Sequence, residues 1–162
     1  MVTNPPADLA LTPLKGPART VREWLTNFHL VVVALDPYAN ESAWILETAA
    51  RVLRVFAPAD CRVSWVVVGP PEDARAFLGP YAEEFLTFVD PDATFVKALG
   101  LSTLPALVHL AIDGSVVGAA EGWQPDEWRD VTENLAKLMS WARPVIPERG
   151  DPAPFPGAPI TG

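Results

Sequence analysis

The sequence predicts an α/β fold with a mixed central sheet, in which a β-α-β unit and a C-terminal β-hairpin are flanked by helices. Residues 29–35 form an unbroken apolar run rich in β-branched side chains, which is typical of a strand covered on both faces. Residues 42–56 place apolar side chains at three- and four-residue steps, as an amphipathic helix does. Asp113-Gly114 lies between two apolar runs and indicates a tight hairpin turn. Together these patterns favour one sheet with helices packed against it.

The first half of the chain alternates between helical and strand patterns. A short amphipathic helix is predicted within residues 18–28, directly before the strand at residues 29–35. Pro37 helps to end that strand, since proline has no N–H to donate to a neighbouring strand. The Asn-Glu-Ser run at residues 40–42 is expected to cap the helix at residues 42–56, because these residue types satisfy free N–H groups at a helix start. The next predicted elements are a strand at residues 61–68, a helix at residues 72–81 and a strand at residues 85–89.

The second half of the chain predicts a short helix, a β-hairpin and a closing helix. Gly100 suits the left-handed conformation that ends many helices, and Pro125 suits the first turn of a helix. The elements so marked are a helix at residues 93–99, strands at residues 106–112 and 115–120, and a helix at residues 125–141.

The two ends of the chain are rich in proline and weakly patterned. Residues 1–17 are predicted to be an extended or mobile segment, with Leu9, Leu11 and Leu14 as candidate anchors. Residues 143–162 are predicted to be a Pro/Gly-rich tail that does not pack as a domain. The domain is therefore expected to span residues 18–142.

Length and charge exclude several classes of function. The chain has 162 residues, which is enough for one domain with its own core. The net charge of −8 and the pI near 4.6 argue against a nucleic-acid or anionic-membrane surface. No apolar run approaches the ~20 residues needed to cross a bilayer, so no membrane insertion is expected. The first residues lack the basic and apolar regions of a secretory signal, which favours the cytoplasm, and the Arg-, Ala-, Val- and Pro-rich composition favours a bacterial source.

The sequence predicts neither a metal site nor a bound cofactor. Cys61 is the one cysteine, which excludes an internal disulfide and a cysteine-built metal site. The sequence also contains no glycine-rich phosphate loop and no cluster of metal-ligand residues.

The corner between residues 29–35 and 42–56 resembles the active-site corner of the thioredoxin-like superfamily, in which a strand, an aromatic residue, a CxxC motif and a helix follow one another. Tyr38 takes the aromatic place, and Ala39-Asn40-Glu41-Ser42 take the four CxxC places, so both cysteines are missing. The buried acid of thioredoxins falls on Val33.

The peroxiredoxin pattern PxxxTxxC can be placed on the same corner. It falls on Pro37, Glu41 and Trp44, and only the proline is kept. Under either alignment the nucleophile is absent, so the resemblance implies the fold without its usual chemistry.

The second half of the chain resembles the region of thioredoxin-like and peroxiredoxin-like proteins around their cis-proline. Residues 89–92, the run Gly100-Leu101-Ser102-Thr103-Leu104-Pro105, the Asp113-Gly114 turn and Gly122 carry this likeness. The resemblance covers about residues 18–141. It implies that the Leu104–Pro105 bond is cis and lies beside the corner. It also implies that the backbone of Leu104 offers an edge to an extended peptide.

The remaining candidate nucleophiles have few partners for catalysis. Cys61 begins a strand, nothing near it in the sequence lowers the pKa of its thiol, and Asp60 raises it. Ser42 would need a base, and His29 and His109 are the only histidines. His29 begins the first strand at the end away from the corner, so no Ser–His–Asp arrangement is predicted, and His109 is expected to be a satisfied interior or edge residue.

The tryptophans leave two interpretations open. Trp24, Trp44, Trp65 and Trp128 fit positions that face the core. Tyr38, Trp44 and Trp123 would alternatively form an aromatic surface near the corner, because Trp123 lies in a loop and is hard to bury. Packing of these aromatic residues on their own domain is the other option.

The sequence as a whole predicts a redox-inactive protein that acts by protein binding, as an assembly or chaperone factor or as an accessory subunit of a larger complex. The partner is expected to be another protein, with a homodimer as a further option. The alternative is a monothiol or peroxiredoxin-like oxidoreductase that uses Cys61. The candidate partner-binding residues are Tyr38, Asn40, Glu41, Trp44, Leu104, Pro105 and Trp123.

Overall fold

A central sheet with helices on both faces organises the computed structural model, which describes residues 2–160. Met1 belongs to the predicted N-terminal segment, and Thr161 and Gly162 belong to the predicted tail; all three lie outside the described residues. Within the described range the strands are β1 (Ala10–Pro13), β2 (Arg19–Thr20), β3 (His29–Leu35), β4 (Cys61–Val67), β5 (Leu86–Val89), β6 (Thr103–Leu104), β7 (Ala106–Leu110), β8 (Val116–Glu121) and β9 (Ala158–Pro159). The helices are α1 (Val21–Trp24), α2 (Asn40–Phe56), α3 (Pro71–Leu78), α4 (Tyr81–Glu84), α5 (Thr94–Ala98) and α6 (Pro125–Met139).

The sheet is mixed, as the sequence predicts. Among residues 2–160 it has seven strands in the order β2-β1-β5-β4-β3-β7-β8. The β3, β4 and β5 strands are parallel, whereas β7 runs antiparallel to β3 and forms a hairpin with β8. A separate two-stranded ladder joins β6 to β9. The predicted β-α-β unit and C-terminal hairpin are therefore confirmed.

Alternate residues of β3 supply two hydrophobic clusters, one on each face of the sheet. Val31, Val33 and Leu35 belong to the cluster that α2, α3 and α6 cover. Leu30, Val32 and Ala34 belong to the other cluster, which α1 and α5 cover. Successive side chains of a strand point to opposite faces, so an unbroken apolar run requires cover on both sides.

Several helix boundaries differ from the sequence-based expectation. Ala39 is the residue that precedes the first turn of α2, and no side chain caps this helix. The predicted capping by residues 40–42 is therefore wrong. The helix expected at residues 72–81 is divided into α3 and α4, because Gly79 has a φ of +55° and Pro80 follows it.

Both ends of the chain contact the sheet or its helices. The β1 strand pairs with β5, with Thr12 opposite Val89, and Leu11 is buried. In the tail, Ile146 is buried against the cluster of α2 and α6. The tail therefore packs on the core over part of its length, which its composition did not indicate. That residues 18–142 form the domain, with the two ends as separate segments, stays a prediction.

A pair of histidines links β3 to β7 inside the structure. His109 is fully buried, and its Nε2 lies 2.8 Å from His29 Nδ1. His109 Nδ1 has no hydrogen-bond partner among the described residues, so this histidine is interior but not fully satisfied. Burial, with a smaller contribution from His29, lowers the pKa of His109 from 6.5 to about 4.

This lowered pKa predicts a loss of stability in mild acid. Between pH 6.5 and about pH 4 the unfolded chain protonates His109 and the folded chain does not. The free energy of unfolding should therefore fall as the pH is lowered through this range, by at most about 3 kcal/mol. Urea unfolding between pH 4 and pH 8 should show a shallower fall for His109→Gln than for the wild type. His29→Gln keeps the buried imidazole and removes only the smaller cause of its lowered pKa, so its fall should stay close to that of the wild type. An identical fall in wild type and His109→Gln would contradict the prediction.

Candidate functional site

The corner that follows β3 is held by hydrogen bonds of its side chains, and Gly69 lies close beside it. Asp36 Oδ1 accepts a hydrogen bond from the N–H of Tyr38, at 2.9 Å. The Tyr38 hydroxyl donates to Asp73 in α3, and this bond raises the pKa of Tyr38. A Cβ at Gly69 would lie 3.2 Å from Pro37 Cγ and 3.3 Å from the Tyr38 hydroxyl oxygen, so a larger residue there would press on the corner.

Ser42 serves the corner as a structural acceptor. Its side chain is fully buried, and its Oγ accepts a hydrogen bond from the N–H of Asp36 at 2.9 Å. His109 pairs with Val31 of β3. Val31 is five residues before Asp36, which is a distance of about 16 Å along an extended strand. The hydroxyl of Ser42 therefore has no nearby imidazole to act as its base.

Pro105 lies beside this corner, as the resemblance implies. Ala106 pairs with Ala34, so the residue before Ala106 is next to the end of β3. The Leu104–Pro105 peptide bond is cis, which confirms the expectation. The Pro105 carbonyl accepts a hydrogen bond from the N–H of Gly122 at 2.8 Å, which ties the loop before β7 to the end of β8.

The predicted partner-binding residues divide into an exposed and a buried group. Tyr38 is 68% exposed and Trp44 is 57% exposed. Asn40 is exposed and Glu41 is partly exposed. These four residues, which we call the corner surface, lie at the start of α2 or just before it. The expectation that Trp44 faces the core is wrong.

Trp123 and Leu104 do not join the corner surface. Trp123 is fully buried, and its Nε1 donates to the carbonyl of Pro152 at 2.7 Å. The tail thus shields the indole ring from solvent and supplies the hydrogen-bond acceptor for its N–H. The expected exposure of Trp123 is wrong. Leu104 and Pro105 are also buried.

The backbone edge of Leu104 is occupied by the tail of the same chain. Leu104 pairs with Ala158, and Thr103 pairs with Pro159, in the β6–β9 ladder. The N–H of Ile160 donates to the carbonyl of Ser102 at 3.0 Å. The edge that was expected to receive a partner peptide is therefore covered by residues 158–160.

Arg51 fastens the tail to α2. Its guanidinium contacts Glu148 Oε2 at 2.9 Å and Asp151 Oδ2 at 2.7 Å, and it donates to the carbonyl of Val145 at 2.7 Å. Thr48 Oγ1 donates to Asp151 Oδ1 at 2.9 Å. Arg51, Thr48 and the two carboxylates line a cleft of about 390 Å³ between α2 and the tail.

Cys61 lies at the opposite end of the sheet from the corner. Cys61 begins β4 and pairs with His29 at the start of β3. The seven residues of β3 therefore separate Cys61 from the corner, a distance of about 20 Å. Its side chain is buried, and its Sγ lies 3.6 Å from the carbonyl oxygen of Phe56. Burial and the charge of Asp60 raise the pKa of the Cys61 thiol to about 11.

Sequence reasoning missed the residues that hold the tail. Arg51 lies in a helix whose apolar periodicity marks only the inward-facing positions, and Phe155 lies in a segment without periodic pattern. Both matter only because chain segments about 100 residues apart meet, as the Arg51–Asp151 ion pair shows. Gly157 is a local signal of this packing, because it lies where a side chain has no room.

No helix among residues 2–160 is long and apolar enough to cross a membrane. The same residues contain no group of three or more His, Cys, Asp or Glu side chains that could hold a metal ion.

Solved structures with this architecture are numerous, although no protein-family model and no curated protein matches the sequence. The thioredoxin domain of a thiol-disulfide oxidoreductase from Bacteroides vulgatus superposes with a TM-score of 0.64 at 10% identity, over 83% of this chain and 99% of that chain. Peroxiredoxin Q of Xanthomonas campestris gives a TM-score of 0.67 at 16% identity, over 85% of this chain and 96% of that chain.

A hypothetical protein from Sinorhizobium meliloti is similar over a longer range. Its TM-score is 0.69 at 16% identity, over 99% of this chain and 93% of that chain. The protein therefore has a thioredoxin-like fold. Its single cysteine means that it has no CxxC pair.

Loss of the Asp151 carboxylate should loosen the tail. Asp151→Ala removes acceptors from Arg51 and Thr48 at a site where the Asp151 side chain is 7% exposed. We expect the free energy of unfolding to fall by about 1–3 kcal/mol, and the N–H groups of Phe155 and Ile160 to exchange faster with solvent. Denaturant unfolding and hydrogen exchange measure both effects.

Glu133→Ala is the matched control for this prediction. The ion pair of Glu133 with Arg143 is more exposed, so its loss should cost less than about 1 kcal/mol and leave exchange in the tail unchanged. Equal effects of the two substitutions would show that Asp151 does not hold the tail.

Proposed function

We propose that this protein acts by binding another protein and does not perform thiol–disulfide exchange. The observation that carries the proposal is the chemistry of the corner. Ala39 and Ser42 take the places of the two CxxC cysteines, and the Ser42 hydroxyl is buried as an acceptor for the N–H of Asp36. Neither residue provides an activated nucleophile at this position.

The state of Cys61 supports the same proposal. A thiol acts as a nucleophile only as the thiolate, and reactive cysteines lie in partly exposed surroundings that lower the pKa. Cys61 is buried, its thiol has a pKa raised to about 11, and it begins β4, at the far end of the sheet from the corner. A monothiol or peroxiredoxin-like oxidoreductase that uses Cys61 is the competing proposal, and it requires an accessible thiolate.

The corner surface is suited to contact with a protein. Tyr38 and Trp44 are large, exposed and close in sequence, and aromatic side chains of this kind often provide much of the energy of a protein interface. Both are held in place: Tyr38 bonds to Asp73, and Trp44 packs edge-on against Phe155 with ring centroids 5.4 Å apart. Ordered aromatic rings lose less side-chain entropy on binding than mobile ones.

The proposed role is that of an assembly factor or an accessory subunit. The net charge of −8 disfavours nucleic acid as the partner. A protein partner in a bacterial cytoplasm fits this charge and the aromatic corner surface best. A second copy of the chain is the remaining option for the partner.

Slow alkylation of Cys61 is the first expected outcome. With a pKa of about 11 in place of 9.0, the thiolate fraction at pH 7 is about 100-fold lower than for an ordinary cysteine. A maleimide should therefore label the folded protein at least about 100-fold more slowly than the same chain in denaturant. Rapid labelling of the folded protein near pH 7 would favour the oxidoreductase instead.

Loss of partner capture on substitution of the corner surface is the second expected outcome. A tagged wild-type chain expressed in its native cells should retain a discrete partner in near-stoichiometric amount. Tyr38→Ser combined with Trp44→Ser should lose this partner, because the exposed aromatic area of the corner is removed.

Leu138→Ser is the matched control, since Leu138 is a 51% exposed apolar residue of α6 away from the corner. This variant should retain the partner. Retention by the Tyr38/Trp44 variant as well would place the interface elsewhere. Absence of any partner of the wild-type chain would count against the binding function itself.

A further inference from the structure

Two arginine side chains meet at one tryptophan, near the end of β3 that lies away from the corner. The guanidinium carbon of Arg19 lies 5.0 Å from the centre of the Trp24 ring, and that of Arg62 lies 5.4 Å from it. Arg62 also lies over Phe28, at 5.1 Å from the ring centre. We call these four residues the arginine site. Arg62 pairs with Leu30, so along β3 the site is about 16 Å from the corner.

The backbone and the central ring of the arginine site are fixed in place. Arg19 lies in β2 opposite Leu11 of β1, and Arg62 lies in β4. Trp24 is 5% exposed, its Nε1 donates to the carbonyl of Leu11 at 3.4 Å, and its ring packs edge-on against Phe88. Cation–π contact orients both guanidinium groups on this ring. A ligand that binds them therefore orders little that is mobile beforehand.

Neither guanidinium of the arginine site forms an ion pair with a carboxylate of residues 2–160. This is not for lack of acids, because acidic residues outnumber basic ones by 20 to 12 in the chain. The cationic side chains that do form ion pairs include Lys15, Arg51, Arg54, Arg129 and Arg143. The two arginines thus stand out as cations that the chain holds on aromatic rings and leaves without a carboxylate.

The acidic residues nearest in sequence do not neutralise the two arginines. Glu23 Oε1 accepts hydrogen bonds from the N–H and the hydroxyl of Thr20, at 2.9 and 3.1 Å, and so caps the first turn of α1. These bonds, more than the charge of Arg19, lower the pKa of Glu23. Asp60 is exposed two residues before Arg62 and forms no ion pair within the described range. The positive charge of the arginine site is therefore available to an anionic ligand.

The Nε of Arg62 indicates which ligand atom the site favours. This nitrogen is buried, and no group in the part of the chain that the structure describes accepts a hydrogen bond from it. A buried donor without an acceptor is unfavourable, so an oxygen atom that reaches it gains more free energy than the same bond would give at the surface. The N–H groups of a guanidinium form a planar fork that fits the two oxygens of a carboxylate.

We propose that the arginine site binds an acidic segment of another protein, in which carboxylate side chains contact Arg19 and Arg62. The inference rests on the proposed protein-binding function and adds a second surface, near the opposite end of β3 from the corner surface. Charge complementarity supports this partner. The net charge of −8 repels an acidic segment from most of the molecule, so attraction is confined to places where cations are held together without carboxylates. Phe28 is half-buried beside Arg62 and supplies an apolar rim.

The test uses the full-length chain and a fluorescent peptide of alternating glycine and glutamate, with glutamine in place of glutamate in the neutral peptide. Fluorescence anisotropy should show binding of the glutamate peptide and none of the glutamine peptide. Arg19→Gln combined with Arg62→Gln should weaken binding at least about tenfold, because charge-assisted hydrogen bonds to both carboxylates are lost. Added salt should weaken binding to the wild type as well, since it screens exposed charges.

Lys137→Gln combined with Arg149→Gln is the control matched in charge. It removes two exposed cations, one on α6 and one in the tail beside α2, and so on the other face of the sheet; this variant should bind the peptide as the wild type does. Arg62→Lys keeps the charge and loses the planar fork, so it should bind at least about threefold more weakly. Arg19→Gln alone alters an exposed side chain and keeps the test valid where variants of Arg62 fold poorly. Near-ultraviolet circular dichroism verifies each fold.

Binding that the arginine variants lose and the charge-matched control keeps would support the proposal. No binding by the wild type, or equal loss in the two double variants, would overturn it, while a partner captured through the corner surface would leave the protein-binding function intact. Tighter binding of a phosphoserine peptide than of the glutamate peptide would assign the site to phosphate and reject a plain acidic segment. A wild-type dimer that dissociates in the Arg19/Arg62 variant would identify a second copy as the ligand and reject another protein. Peptide binding without a captured partner would support the arginine site and count against the corner surface alone.

Discussion

The pairing and burial of β3 is the constraint on which the rest of the structure depends. This strand pairs in parallel with β4 along one edge and antiparallel with β7 along the other, and its alternate side chains enter two separate clusters. A strand with both edges and both faces occupied has no freedom to shift, since a slip by one residue would exchange the two sets of side chains. The corner at its end and Pro105, which directly precedes β7, are therefore fixed relative to each other.

The corner lies at the end of β3, and its residues have structural roles there. The buried hydroxyl of Ser42 accepts the N–H of Asp36, which completes the turn into α2 in a helix start that lacks a side-chain cap. The exposed groups around this turn are aromatic and polar.

The tail pairs with a strand edge of the domain that would otherwise be open. An uncovered edge at Leu104 would present unpaired N–H and C=O groups, which favour uncontrolled pairing with other chains. The tail covers this edge. Its Pro152 carbonyl accepts a hydrogen bond from the indole N–H of Trp123, and its Asp151 forms an ion pair with Arg51. The pairing of the tail with this edge protects it, and the lack of space for a side chain at Gly157 lets the two backbones lie close together.

The sequence by itself determined the mixed sheet, the order of its main elements and the absence of the CxxC pair. These features depend on neighbours along the chain: an apolar run, a helical period, an Asp-Gly turn and the identity of residues 39–42. Only the tertiary structure decided that β1 pairs with β5, that Trp123 is buried and that residues 158–160 cover Leu104. The physical reason is that these contacts join segments far apart in sequence, whose local composition of proline and small residues carries no periodic signal. Their stability comes from packing, hydrogen bonds and ion pairs between segments that the sheet and α2 bring together.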